Sequence, residues 1–268
     1  MYTIKWPHAQ SPNFREAKNM EIGIIGTGNI GGTLARKLKA AGHHVRVANS
    51  KGIQGVQNFA DEIGVTAADV YGAVKGADAI IVSIPLPALT SLPKDLFDGV
   101  PDRVPLIDTS NYYPGLRDPR IPEIDNGMPE SLWVSQQLER PVIKAFNNIL
   151  AYSLAELGAS KGSPSRLAVA VAGDNVPLKQ IVMTLVNDTG FDPVDAGSLE
   201  ASWRQQPSTP AYCCDYDVEN MKKGLAAAVK GEAAQKRDRL PELFGKLGAN
   251  PTHEDIVAMN RSLYPLIS

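Results

Sequence analysis

Along this chain, apolar residues come in short unbroken runs, separated by stretches in which they recur every three or four positions. Ile22, Ile24 and Ile25 form the first run, which Gly26 closes. A run of this kind predicts a strand buried on both faces, as in a parallel sheet. Ile30, Leu34 and Leu38 follow at a spacing of four and predict a helix that stops at Gly42. Val45, Val47 and Ala48 predict a second strand. Val56, Phe59, Ala60 and Ile63 predict a second helix, ended by Gly64. Further strands are expected over residues 79–84, 105–108, 142–146, 167–171 and 191–194. Pro105 is tolerable only at the first position of its strand. Strands alternating with helices imply crossover units and a mostly parallel α/β sheet. Residues 111–129 read as a long loop, and such loops are often functional. Beyond about Leu199 the strand pattern stops, and residues 221–229, 237–247 and 256–263 predict helices. The expected organisation is an arm over residues 1–20, an α/β domain over 21–200 and a small helical region over 201–268.

Gly26-Thr27-Gly28-Asn29-Ile30-Gly31 lies where the first strand becomes the first helix. In that context GxGxxG is a dinucleotide-binding signal. Gly26 makes the tight turn, Gly28 lets the backbone approach a pyrophosphate, and Gly31 lets helix and strand pack closely. The helix N-terminus offers free N–H groups and a partial positive charge. A selective NAD site carries Asp or Glu after the second strand, to hold the ribose 2′-OH. Here Asn49-Ser50-Lys51 stands instead, with no carboxylate before Asp61. Asn49 and Ser50 donate hydrogen bonds and Lys51 supplies charge, so NADP(H) is the expected cofactor. In a doubly wound sheet the ligand lies outside the carboxyl ends of the strands. That edge adds Ser83, Ile84, Pro85 and Asn111 to the expected contacts, with Ile84-Pro85 as a wall for the flat ring or simply a strand terminator.

Catalytic candidates are few. His43 and His44 fall at the wrong edge of the sheet, His8 lies in the arm, and His253 opens a late helix. Each reads as a surface or capping residue. This argues against a His acid/base and suits hydride passing directly between two ring cofactors. Lys144 and Asn147, near a strand end, are the alternative catalytic pair, as an imine or β-hydroxyacid reductase would require. Equally, Lys144 is a strand residue and Asn147 a helix cap. Trp203 and Tyr212 are either stacking partners for an acceptor ring or core. A protein that binds NADP(H) without turnover is a third reading.

Composition narrows the rest. Lys plus Arg number 27 against 29 for Asp plus Glu, without the basic excess of a nucleic-acid binder. The two cysteines, Cys213 and Cys214, are adjacent. They cannot form a disulfide framework or a metal site, and they read as inert thiols in a reducing compartment. No apolar run approaches the roughly 20 residues that span a bilayer, and residues 1–20 lack the apolar centre of a signal peptide. A soluble, cytoplasmic protein is expected, with no metal, membrane or nucleic-acid partner.

The segments MEIGIIGTGNIGGTLARKL, ANSKG and ADAIIVSIP resemble the coenzyme F-420-dependent NADP oxidoreductase family. VIKAFNNILAYSL and FDPVDAGSLEASW are also similar to the cytosolic reductase domain of six-transmembrane metalloreductases. The match runs over residues 21–204. The resemblance implies a Rossmann-type doubly wound domain that passes hydride between NADPH and a flavin-like acceptor, coenzyme F-420 or FMN/FAD. It places Thr27, Gly28, Asn29 and Ile30 at the pyrophosphate and Ser50 and Lys51 at the 2′-phosphate, and it implies a homodimer. The family often has Arg where Lys51 stands, so the charge is kept and the planar fork is lost.

Overall fold

The computed structural model describes residues 19–265 of the 268. The expected arm therefore lies outside the described residues, except for its last two. Six strands form one parallel sheet: β1 (Glu21–Ile25), β2 (His44–Ala48), β3 (Thr66–Ala67), β4 (Ala79–Val82), β5 (Leu106–Asp108) and β6 (Ile143–Lys144). Their order is β3-β2-β1-β4-β5-β6. This is the doubly wound dinucleotide-binding order, with the strand order reversing between β1 and β4. The short edge strand β3 had no apolar run to announce it. A second parallel pair, β7 (Ala168–Val171) and β8 (Asp192–Asp195), abuts β6 through reciprocal antiparallel bonds between Lys144 and Ala172, 2.8 and 3.0 Å long.

Helices cover both faces, which is why the central strands β1 and β4 carry unbroken apolar runs rather than alternating. On one face α1 (Asn29–Ala40), α2 (Gly52–Ile63), α6 (Ala151–Glu156) and α7 (Val176–Asp188) bury Leu34, Leu38, Val56, Ala60, Leu154 and Leu185 against Ile22, Ile24 and Ile107. On the other, α3 (Val70–Val74), α4 (Pro122–Asp125) and α5 (Glu130–Gln137) bury Val74, Ile124 and Trp133 against Ile25, Ile80 and Leu106. Gly23 has no side chain to offer, and a Cβ there would meet the Ala73 carbonyl oxygen at 2.1 Å, so α3 packs directly on β1. The described chain after β8 is helical: α8 (Val218–Ala227), α9 (Glu232–Arg237), α10 (Leu240–Lys246) and α11 (His253–Ser262), preceded by a 3-10 turn at Glu200–Gln205. Among the described residues, no helix is long and apolar enough to cross a membrane.

Three expectations need correction. The helix expected over 237–247 starts later, at Leu240 with Pro241 in its first turn, and a separate short helix, α9, precedes it unannounced. The 111–129 loop contains α4 and a tight bridge between Pro114 and Asp118. His43 is not a surface residue. It is 2% exposed, its Nδ1 accepts the Met20 amide at 3.3 Å, and its Nε2 lies 3.2 Å from the Asp188 carboxylate. Because a main-chain N–H donates to Nδ1, the proton sits on Nε2, and the ring joins the start of β1 to the end of α7. His43→Ala removes both bonds and strands a buried amide, so we expect unfolding in urea to need about 1–3 kcal/mol less than in the wild type.

Candidate functional site

The turn between β1 and α1 is held by contact. Gly26 has φ 106°, and its N–H donates to the Ala48 carbonyl at 2.8 Å. A Cβ at Gly26 would lie 2.1 Å from the Ser83 carbonyl oxygen, and one at Gly31 would lie 2.0 Å from the Gly26 oxygen. Gly28 differs: it is exposed, and an added Cβ would meet nothing within 4 Å. Packing therefore requires the outer two glycines, while the middle one faces open space. The first turn of α1 holds no acidic residue, and no side chain caps it. Thr27 is half-buried, Asn29 exposed, and Ile30 packs back onto the core. An unblocked helix N-terminus with that clearance fits a pyrophosphate.

The loop after β2 is tied to this turn. Asn49 Nδ2 donates to Thr27 Oγ1 at 3.4 Å and to the Gly55 carbonyl at 3.3 Å, while its Oδ1 accepts the Lys51 amide at 2.9 Å. Asn49 is thus mostly occupied in shaping the loop. Ser50 and Lys51 are exposed beside it and fit a 2′-phosphate.

After β4, Ser83 Oγ accepts from Thr109 Oγ1 at 3.1 Å. Leu86 turns into the core, leaving Ile84 half-buried and Pro85 exposed. Asn111 and Asn147 join the ends of β5 and β6 reciprocally. Asn111 Nδ2 donates to the Asn147 carbonyl at 2.9 Å, and Asn147 Nδ2 donates to Asn111 Oδ1 at 3.0 Å. Gln205 completes Asn147 from the 3-10 turn, donating to its Oδ1 at 2.9 Å and accepting from its Nδ2 at 2.7 Å. Asn147 is consequently no helix cap: Leu150 occupies that position before α6. Its polar atoms are all engaged within the protein.

Beneath this edge lies a buried ionic cluster. Lys144 is fully buried, with Nζ 3.5 Å from Glu130 Oε2 and 3.7 Å from Asp108 Oδ2, and it donates to the Ser110 carbonyl at 3.1 Å. Asp108 accepts from Ser131 Oγ at 2.6 Å and from the Ser110 amide at 2.9 Å. Glu130 is less well served. Gln206 Nε2 donates to its Oε1 at 3.2 Å, and its Oε2 has no hydrogen-bond partner. Burial pushes the Glu130 carboxyl up to about 7, against the pull of Lys144 and of Arg237 from α9. In this arrangement Lys144 cannot touch a substrate. Asp108 ends an apolar strand with a charge, a faint signal in the sequence. Glu130, Gln205 and Gln206 offered none, since their places come from the docking of α5 and the 3-10 turn.

Tyr212 is buried, and its hydroxyl is hydrogen-bonded to that of Tyr113, so it is not a free stacking face. Trp203 is half-buried under the Arg204 guanidinium, 5.3 Å from the ring centre. Burial raises both thiols, Cys213 well above its ordinary value and Cys214 to about 12, which leaves them protonated at neutral pH. His253 Nε2 and Ser153 Oγ both converge on Asp215, each at 2.7 Å, and tie α11 to α6.

Comparison with known proteins bears on the same region. Residues 21–112 match the family model described as NADP oxidoreductase, coenzyme F420-dependent. The protein YjhV of Escherichia coli (strain K12) is 58% identical over 106 residues, which are 38% of this chain and 75% of that one. Metalloreductase STEAP2 of Mus musculus is 29% identical over 191 residues, 70% of this chain but 35% of its own length. Among solved structures, the hypothetical protein SMa0349 of Sinorhizobium meliloti superposes with a TM-score of 0.59 at 30% identity, over 72% of this chain and 91% of that one. A candidate F420-dependent NADP-reductase from Arthrobacter sp. FB24 gives 0.56 at 21% identity, over 69% and 87%, and shares the fold.

Glu130 also sets a pH dependence of stability. With its carboxyl raised from 4.5 to about 7 in the folded state, the native protein prefers Glu130 protonated. The cost of ionising it is absent below the unfolded value and complete above the folded one, so stability falls as pH rises between them. Glu130→Gln escapes that cost. We expect the variant to gain on the wild type between pH 5 and pH 8, by up to about 3 kcal/mol in urea melts.

Proposed function

The chain belongs to the coenzyme F420-dependent NADP oxidoreductase family, and from that premise we propose that it moves a hydride between NADPH and a flat ring acceptor, a deazaflavin of the F-420 kind or a flavin. It is an NAD(P)-dependent oxidoreductase. The observation that carries the finer reading is the clearance at Gly28 between two glycines locked by packing, with Ser50 and Lys51 exposed on the adjoining loop. The α1 N-terminus receives the pyrophosphate, and Ser50 and Lys51 select the 2′-phosphate. NADPH, when bound, supplies the hydride. Ile84 and Pro85 back the ring that carries it, and Asn111, held by Asn147, borders the acceptor side.

Among the described residues, the acid/base groups suit direct ring-to-ring transfer. His43 is committed to Asp188, His253 to Asp215, and His44 is exposed at the opposite edge, at the start of β2. An imine or hydroxyacid reductase would need a proton donor that reaches substrate, and the burial of Lys144 and the saturation of Asn147 disfavour that pair. The full activity of a metalloreductase stays outside this reading, because the match covers only 35% of STEAP2.

Lys51→Glu should raise the dissociation constant for NADPH about tenfold or more while leaving that for NADH nearly unchanged. Gly28→Ala should melt within about 2 °C of the wild type yet bind NADPH at least about tenfold more weakly, because its added methyl fills only the space kept for the ligand. In anaerobic assays with F-420, FMN, FAD and a ferric chelate in parallel, we expect fast NADPH oxidation with a ring acceptor. Tight NADPH binding with no turnover in any of them points to the sensor reading.

A further inference from the structure

The carboxyl ends of β5 and β6 bury more charge than packing requires. Asp108 and Lys144 are the last residues of their strands, and Glu130 reaches them from α5. In a sheet of this order one half of the dinucleotide lies over β1–β3, and the nicotinamide half lies on the β4–β6 side. The cluster therefore sits under the half of the crevice where the ring changes charge. NADP+ and NADPH have the same phosphates, riboses and adenine. They differ by one positive charge on the nicotinamide.

Within the cluster Glu130 is the group least committed to one charge state. Asp108 has two hydrogen-bond donors and Lys144 beside it. Glu130, wholly buried, has Gln206 on one oxygen and, on the other, the Lys144 ammonium 3.5 Å away without a hydrogen bond. The groups that face it are Lys144 from β6, Asp108 from β5, Arg237 from α9, and Tyr112 and Tyr113 from the loop after β5. Opposite charges among these nearly balance, so gain or loss of the Glu130 proton swings the net charge beneath the ring by one.

We propose that Glu130 makes this site discriminate between the two redox states of its nicotinamide nucleotide, its neutral form favouring the uncharged reduced ring and its ionised form the cationic oxidised ring. The inference rests on the nicotinamide-binding function proposed above. Glu130 does not touch the ring; it acts through the field of the cluster. Through an effective dielectric of about 20, one charge acting on another short of contact changes affinity by about tenfold. By linkage the effect is reciprocal: oxidised nucleotide favours the ionised carboxylate, and a rise in pH favours oxidised nucleotide. Titration of the 2′-phosphate alters both affinities alike and cancels in their ratio.

The test is calorimetric binding of NADP+ and NADPH at pH 6, 7 and 8 to the wild type and to Glu130→Gln. The ratio of the NADP+ to the NADPH dissociation constant should fall about tenfold across this range in the wild type and stay flat in the variant. Gln, being neutral, should leave NADPH affinity at pH 6 as in the wild type. A second measurement needs no variant. At pH 7, in buffers of different ionisation enthalpy, NADP+ binding should release more protons than NADPH binding. A flat ratio in the wild type, an undiminished slope in the variant, or equal proton counts would each overturn the inference while leaving the proposed function intact. A wild type that binds neither nucleotide would instead overturn the functional reading on which it rests.

Discussion

The carbonyl oxygens of Ser83 and Gly26 occupy the space where side chains on Gly26 and Gly31 would stand. That contact brings the end of β4, the β1–α1 turn and the start of α1 within van der Waals distance, and the rest of the edge is built outward from it. Because the turn is pressed against β4, the free end of α1 points along the crevice rather than into the core. Asn49 then fastens the loop after β2 to Thr27. Two loops distant in sequence thus become one surface, with Gly28 open at its centre and Lys51 at its rim.

The other half of the edge is held by polar groups rather than by close approach. Asn111, Asn147 and Gln205 lock the ends of β5 and β6 to the 3-10 turn, and Glu130, Lys144 and Asp108 form the charged layer below. Burying such a layer is costly unless every charge is matched, and a hydrophobic replacement is often no less stable. Here Glu130 Oε2 has the Lys144 ammonium 3.5 Å away but no hydrogen bond. A fold selected only for stability has no need of that defect, and defects of this kind gather where a site must respond to charge. The segment after β8 belongs to this half as well: Gln205, Gln206 and Arg237 come from it, so the helical end of the chain completes the polar layer at the ends of β5 and β6.

Much of this was readable in the residues. The apolar runs located β1 and β4 because a strand buried on both faces has few polar positions to interrupt it, and β2 and β5 showed through their shorter apolar stretches. GxGxxG marked the turn, since only glycine fits at Gly26 and Gly31, where backbone meets backbone. Some readings failed for physical reasons. His43 looked like a surface residue because nothing local announces its partners, Met20 and Asp188, which lie 23 and 145 residues away. For Lys144 the residues leave both a catalytic and a strand role open, because a lysine near a strand end can face either the crevice or the core, and the strand pattern alone does not say which.

The sequence by itself determined the parallel α/β class, the glycine turn between β1 and α1 and the cationic rim at Lys51. Each of these depends on short-range periodicity or on the conformational range of a single residue. Tertiary structure alone decided which polar groups are buried together. Glu130 meets Lys144 and Gln206 only because α5 and the 3-10 turn dock on the same sheet edge. Its unusual proton affinity comes from the water that this docking excludes, a property of the assembled interior that no stretch of the chain carries alone.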